Sequence, residues 1–302
     1  IPVITQTVNA VNASKTTRKL LDKTIGISAE APLPEYHSRT LNKRDAGRKP
    51  LAAEAVKTAS TTGKVALFGT CYGNYNEPQI GVDLIRVYEH NNIPVMLAQG
   101  TQCCGMPKLE LGDLDAVTAA KETNIKVLAA LVDDGWDIVT PIPSCTLMFK
   151  QELPLMFPEE EDVQKVKNAI FDPFEYLMLR HKEGKLNTEF KNPLGKVAYH
   201  VACHQRVQNI GMKTRDALQL IPDTEVVPIE RCSGHDGIYT VKSEFHDMAM
   251  KICRPVVNKV KQAEPDHYTS DCAMAAHHIK SGLADGSTPE HPISLLRRAY
   301  GL

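Results

Sequence analysis

Seven of the eight cysteines of this 302-residue chain recur at similar spacing in its two halves. The first-half cysteines are Cys71, Cys103, Cys104 and Cys145, and the second-half cysteines are Cys203, Cys232 and Cys272. In the first half, 32 positions separate Cys71 from Cys103 and 42 separate Cys103 from Cys145. The corresponding second-half spacings, from Cys203 to Cys232 and from Cys232 to Cys272, are 29 and 40 positions. Thiolates brought together in this way make a soft site of the kind that selects zinc, Cu(I) or an iron–sulfur cluster.

The adjacent pair Cys103 and Cys104 favours a multi-iron cluster over structural zinc. Structural zinc is usually held by C-x-x-C pairs, and this chain contains none. Neighbouring thiolates can reach different irons of one cluster, whereas a strained vicinal disulfide is the alternative for this pair. Buried free thiols remain the alternative for the whole set. The eighth cysteine, Cys253, lies in a predicted helix without a first-half counterpart, and we expect it to fill the core.

Each repeated cysteine ends or follows a short segment that we predict to be a strand; Cys104 directly follows Cys103. These segments are 64–71, 94–98 and 137–140 in the first half and 196–203, 225–230 and 266–270 in the second. Stretches of helical periodicity separate them. The alternation predicts an α/β fold of two repeated βαβαβ halves, each with a Rossmann-like parallel sheet. Because ligands of such sheets sit beyond the carboxyl ends of the strands, we expect three loops of each half to converge on one site.

Composition divides the chain into four predicted parts. Residues 1–63 form a basic arm, 64–160 the first cysteine-rich repeat, 161–194 a connector and 195–302 the second repeat. Residues 1–64 carry 11 Lys and Arg against 5 Asp and Glu, so the rest of the chain is acidic. We expect helices near 12–23 and 51–59. The arm is then either a solvated extension or a docking segment for an acidic partner or a membrane surface.

Overall composition excludes several classes of protein. The net charge of −1 argues against a nucleic-acid partner, and 42% hydrophobic residues exclude wholesale disorder. No apolar run is long enough for a membrane span, and the first 30 residues lack the pattern of a signal peptide. We therefore expect a cytoplasmic protein, with peripheral attachment to the inner face of the membrane as the alternative.

The two cysteine patterns resemble the duplicated cysteine-rich CCG domain. That family includes the B subunit of heterodisulfide reductase and the iron–sulfur subunits of anaerobic glycerol-3-phosphate dehydrogenase and glycolate oxidase. Residues 199–204, 230–237 and 23–34 are most similar to the branch that contains the glycerol-3-phosphate dehydrogenase C subunit. The resemblance implies one or two iron–sulfur clusters on the first- and second-half cysteines, with a [4Fe–4S] cluster on the four first-half cysteines. It also implies electron transfer between a flavin-dependent dehydrogenase partner and a quinone or thiol/disulfide acceptor.

The chain departs from the family motif at three positions. Each half of that motif ends in C-x-x-C, but Met148 and Ala275 stand at the last positions here. Ser233 replaces the second cysteine of the second pair, so that half needs a fourth ligand, for which His204 and His235 are the candidates. The ferredoxin module common in the family is not found in this sequence. We expect the chain to begin after such a module or to work without it, with a ferredoxin-like module or the membrane quinone pool among its partners.

Two other functions remain open at this point. One is a disulfide or quinone reductase whose substrate reacts directly at the Cys103/Cys104 cluster. The other is a non-redox protein in which the cysteines bind structural zinc. We expect an oxidoreductase component, and the sequence identifies no catalytic residue.

Overall fold

Two parallel sheets organise the chain, so the predicted α/β fold of repeated halves is confirmed. The computed structural model describes residues 2–237 and 239–302. The first sheet has the order β2-β1-β3-β4 and the second β6-β5-β7, and every ladder is parallel. The strands are β1 Val65–Leu67, β2 Val95–Leu97, β3 Asp137–Val139, β4 Ile170–Phe171, β5 Gly195–His200, β6 Thr224–Ile229 and β7 His267–Ser270.

Helices connect and cover the strands. In chain order they are α1 Pro2–Ala13, α2 Lys15–Ile25, α3 Leu41–Asp45, α4 Cys71–Tyr75, α5 Pro78–His90, α6 Met106–Glu110, α7 Leu114–Asp133, α8 Pro143–Leu147, α9 Leu153–Met156, α10 Glu161–Ala169, α11 Pro173–Lys182, α12 Cys203–Arg206, α13 Lys213–Leu218, α14 Ser243–Ala263, α15 Ala273–Leu283 and α16 Pro292–Tyr300. A π-helical turn, Met148–Glu152, joins α8 to α9. Across the described residues, no helix combines the length and apolar character that crossing a bilayer requires.

The arm differs from its prediction in two ways: it has an additional helix, α1, and it lacks the helix expected at 51–59. The helix expected near 12–23 is present as α2, which α1 precedes; Ser14 separates them and caps α2 by accepting the N–H of Thr17. The helix expected at 51–59 is wrong, because this segment has no regular structure. Its backbone is bound by distant side chains instead: the carbonyl of Val56 accepts a hydrogen bond from Arg180. Such tertiary contacts override local helix propensity.

One hydrophobic core joins the two halves. It contains Leu67 of β1 and Val197 of β5 together with Leu295 of α16. The other face of the first sheet, with Phe68, packs into a second core that includes Cys104 and Cys145. Burial on both faces explains why these short strands read as continuous apolar runs rather than as alternating ones. The division of the chain into four parts stays a prediction.

Candidate functional site

The first-half cysteines lie on three loops beyond the carboxyl ends of β1, β2 and β3. Cys71 is the first residue of α4, and Thr70 caps that helix by accepting the N–H of Gly73 at 2.8 Å. Thr70 has a φ of 56°, an unfavourable value for a β-branched residue. The adjacent cysteines precede α6, and Cys145 lies within α8. Parallel strands thus bring together residues that are far apart in sequence.

The four first-half thiols form a connected chain of contacts. Cys103 accepts hydrogen bonds from the thiols of Cys104 and Cys71, and Cys104 also contacts Cys145. The two accepted hydrogen bonds lower the pKa of Cys103, and the backbone N–H of Gly105 adds to this effect. The same contacts, together with burial, raise the pKa of Cys71 and of Cys104. These contacts favour the thiolate form at Cys103, and the thiolate is the form that binds metals and reacts as a nucleophile.

The four first-half cysteines differ in their exposure to solvent. Cys104 and Cys145 are buried, Cys103 is partly exposed and Cys71 is exposed. A cavity of about 260 Å³ opens beside the two accessible cysteines. Its polar lining consists of Asn42, Thr70, Asn74, Tyr75, Thr101 and Gln102. The outer side of the first-half site is therefore open to a small polar molecule.

The second-half cysteines occupy the equivalent strand ends. Cys203 is the first residue of α12 after β5, and Cys232 follows β6. Cys272 follows β7 and caps α15, its sulfur accepting the N–H of Ala275 at 3.4 Å. Cys203 contacts Cys232, and its charge also acts on Cys272. Burial raises the pKa of Cys272 to about 11. The structure therefore brings these three thiols together as well.

The two candidate histidine ligands lie beside the second-half site. The His235 ring is 6.5 Å from the ring of His278. Burial, and next the charge of His278, lower the pKa of His235 to about 4. His204 lies on α12, half-buried, and its charge acts on Glu110 and on His235. Whether either imidazole is a ligand stays a prediction.

The chemistry of the thiols fits an iron–sulfur cluster in the first half. Among residues 2–237 and 239–302, no three His, Cys, Asp or Glu side chains stand ready-made around one metal ion. The first-half thiols contact one another directly. Four thiols on three loops nevertheless supply the full ligand number of a [4Fe–4S] cluster. Cys71 is the first residue of the short helix α4, and Cys145 lies within the short helix α8. The second-half cysteines supply three ligands.

A buried polar network behind the second-half site was not predicted. The Tyr199 hydroxyl lies 2.6 Å from oxygens of both Gln205 and Asp271. Thr214 donates to Asp271 at 2.8 Å, and Gln205 donates to Asp172 at 3.3 Å. The only sequence signal for this network was its position: Gln205 and Asp271 flank cysteines of the site. The network ties the loops of the second half to the connector.

Comparison with known proteins covers nearly the whole chain. Residues 65–150 and 197–280 each match the family model of the cysteine-rich domain, CCG, and together they make up more than half of the chain. The C subunit of anaerobic glycerol-3-phosphate dehydrogenase from Escherichia coli K12 is 28% identical over 97% of this chain and 72% of its own length. The B subunit of fumarate reductase (CoM/CoB) from Methanothermobacter marburgensis is 27% identical over 73% of this chain and 42% of its own length. An uncharacterized iron–sulfur protein of Methanocaldococcus jannaschii is also 27% identical, over the same shares.

Proposed function

Because the chain belongs to the family of proteins with duplicated cysteine-rich CCG domains, we propose that it is an iron–sulfur electron-transfer subunit. It receives electrons from a flavin-dependent dehydrogenase partner and passes them to a quinone or a thiol/disulfide acceptor. The observation that carries this proposal is the chain of contacts among the four first-half thiols at the ends of three strands. The names of the relatives, which include subunits of a dehydrogenase and a reductase and an iron–sulfur protein, support it.

The first-half cysteines would hold a [4Fe–4S] cluster, which supplies one-electron chemistry when bound. The protein's own contribution is to set how readily the site takes up negative charge. Cys104 and Cys145 lie in the hydrophobic core, and burial disfavours added charge. The backbone N–H of Gly105 and the charge of Lys108 act on Cys103 in the opposite sense, since both lower its pKa. These groups are the ones that would tune a reduction potential.

The test is to purify the protein anaerobically and measure its iron, acid-labile sulfide and zinc, with electron paramagnetic resonance of the reduced form. We expect iron and sulfide in equal amounts, and Cys104→Ser should remove one paramagnetic signal. Ser144→Ala, on the neighbouring α8, is the control and should leave the spectrum intact. Stoichiometric zinc without sulfide would overturn the proposal in favour of a structural zinc protein.

Direct reduction of a substrate at the first-half site is the second candidate function. The polar cavity of about 260 Å³ beside Cys71 and Cys103 favours it. Reduced viologen should then drive turnover of a disulfide or quinone by this protein alone. Gln102→Trp, at an exposed position of the lining, should raise KM by narrowing the cavity. Absence of turnover by iron-replete protein would leave electron transfer between partners as the function.

The arm offers a means of peripheral membrane attachment in the cytoplasm. Helix α1 binds the rest of the arm through a polar residue: Asn9 exchanges two hydrogen bonds with the backbone of Tyr36, at 2.8 and 2.9 Å. Its aliphatic side chains point outward instead. Val3 is 68% exposed, Ile4 57% and Val8 37%. An apolar helix face turned toward solvent is typical of segments that lie in a membrane interface.

The charges beside α1 fit an anionic lipid surface. Lys15, Lys19 and Lys23 of the adjacent α2 are exposed, and each basic residue near such a surface contributes about 1 kcal/mol to binding. We expect the protein to sediment with vesicles that contain phosphatidylglycerol and much less with phosphatidylcholine alone. Val8→Asn should weaken this binding, whereas Val207→Asn, at an exposed position outside the arm, should not. Equal sedimentation with both lipids would contradict the assignment.

A further inference from the structure

The turn that carries the adjacent cysteines of the first half rests on helix α7. A β-carbon at Gly105 would lie 3.6 Å from the β-carbon of Ala120. One turn further along α7, the fully buried Asn124 forms two hydrogen bonds with the loop backbone that precedes Gly105. Its side chain accepts the N–H of Gln102 at 2.9 Å and donates to the carbonyl of Cys103 at 3.0 Å. Asn124 is thus a polar clamp behind the cysteine pair.

The second half repeats this packing with an offset of 129 residues. Gly234 follows Cys232 and Ser233 as Gly105 follows the first-half pair, and it rests on α14. A β-carbon there would lie 2.2 Å from the carbonyl oxygen of Ala249 and 3.2 Å from the backbone nitrogen of Cys253. The offset relates Gly105 to Gly234 and Ala120 to Ala249. By the same offset Cys253 stands where Asn124 stands in the first half, directly behind the turn.

Cys253 places a thiol where the first half has an amide. Its side chain is fully buried and cannot form the pair of hydrogen bonds that Asn124 makes. Burial raises the pKa of Cys253, and the nearby charge of Cys232 adds to this effect. Cys232 in turn contacts Cys203. Cys253 therefore lies behind the turn that carries Cys232, within a cluster of buried apolar side chains on α14 and α15.

A second side chain indicates that this region accommodates a polar group. His278 of α15 is completely buried, and neither of its ring nitrogens has a hydrogen-bond partner of normal geometry in the described part of the chain. The backbone group that acts on it is that of Ala249, the residue on which the Gly234 turn rests. Buried polar groups without partners are rare in proteins. An inorganic group bound at the turn would explain why the buried imidazole of His278 has no hydrogen-bond partner in the protein.

We propose that Cys253 is the fourth thiol ligand of the second-half site and replaces the thiol that Ser233 lacks. The ligand set of that site is then Cys203, Cys232, Cys253 and Cys272. Ser233 itself is buried and its hydroxyl accepts the N–H of His235 at 3.4 Å within the loop. This inference rests on the proposed iron–sulfur function. It gives each half an all-thiolate site, with the fourth sulfur entering from the helix instead of from the loop.

The experiment isolates the second-half site by using Cys104→Ser as the background and measures iron, sulfide and the paramagnetic spectrum. In that background Cys253→Ala should remove most of the remaining iron. Ser233→Cys should restore it, because it returns a thiol to the family position on the loop. Val256→Ala is the matched control, since Val256 is also fully buried on α14. It creates a cavity without removing a ligand and should retain the iron.

Three outcomes would overturn the inference. Full iron in Cys253→Ala would make this cysteine a core residue. Equal loss of iron in Val256→Ala would attribute the effect to packing. Loss of iron in His278→Leu combined with retention in Cys253→Ala would make the imidazole the ligand. Wild-type protein without iron or sulfide is a different result, because it removes the proposed function itself.

Discussion

The buried carboxyl of Asp172 makes a quantitative prediction about stability and pH. Its oxygen caps α11 by accepting the N–H of Phe174 at 2.9 Å, and the side chain is 2% exposed. Burial, and next the negative charge of Asp271, raise the pKa of Asp172 from 3.8 to about 7. The folded protein therefore holds this proton over a range in which the unfolded chain has released it. The stability that this group contributes is complete below the unfolded pKa and is lost as the pH rises through the folded pKa.

The magnitude follows from linkage. Between pH 4.5 and 6.5 one such proton changes the free energy of unfolding by about 1.4 kcal/mol per pH unit, or about 3 kcal/mol in total. Asp172→Asn removes the titration and keeps an oxygen that can cap the helix. We expect the free energy of unfolding of wild type to fall by about 3 kcal/mol more than that of the variant across this range.

The assay is anaerobic urea unfolding at pH 4.5, 5.5 and 6.5, followed by circular dichroism. Glu189→Gln, at an exposed position of the connector, is the control and should follow wild type. The difference between the curves reports Asp172 together with its coupled neighbour Asp271, because the remaining titrating groups are common to both proteins. Parallel pH dependence of wild type and Asp172→Asn would refute the reasoning, as would a variant that loses more stability than wild type with rising pH.

Three further predictions follow from buried contacts. Gly234→Ala should lower the free energy of unfolding by more than about 2 kcal/mol, because its methyl group meets a carbonyl oxygen at 2.2 Å; Gly105→Ala, with 3.6 Å to its nearest neighbour, should cost only about 1 kcal/mol of backbone strain. Arg180→Met should speed proteolysis within residues 50–63, visible on a gel, because Arg180 binds the carbonyl of Val56 at 2.9 Å; unchanged cleavage would contradict this. Burial lowers the pKa of His200 to about 4, so stability is lost as pH falls from 6.5 toward that value; His200→Gln should lessen this acid loss in unfolding measurements, and an equal loss would argue against it.

The sequence was sufficient to predict the sheets and the convergence of the cysteines. Buried parallel strands leave continuous apolar runs such as that around Val197, and the residue that follows each strand must lie at the same sheet edge. The strand β4 and the helix α16 were not predicted. β4 is only two residues long, and such a segment carries no periodicity.

Contacts between distant residues account for what the sequence could not reveal. The segment 51–59 has helical composition, yet Arg180, 124 positions away from Val56, binds its backbone in another conformation. Cys253 was expected to fill the core, and it does belong to a cluster of buried apolar residues. The sequence could not show that the Gly234 turn, on another element, lies against it. Only the packing of Gly234 against α14 shows which residue of that helix lies behind the cysteine loop.

The core shared by the two sheets has a consequence for how the two sites communicate. Leu67 of the first sheet and Val197 of the second belong to one cluster of buried side chains, which α16 completes from the far end of the chain. Protein interiors of this kind are close-packed and transmit displacement rather than absorb it. The shared core therefore favours a fixed separation between the two cysteine sites. In the proposed function, an electron would cross between them without a hinge motion.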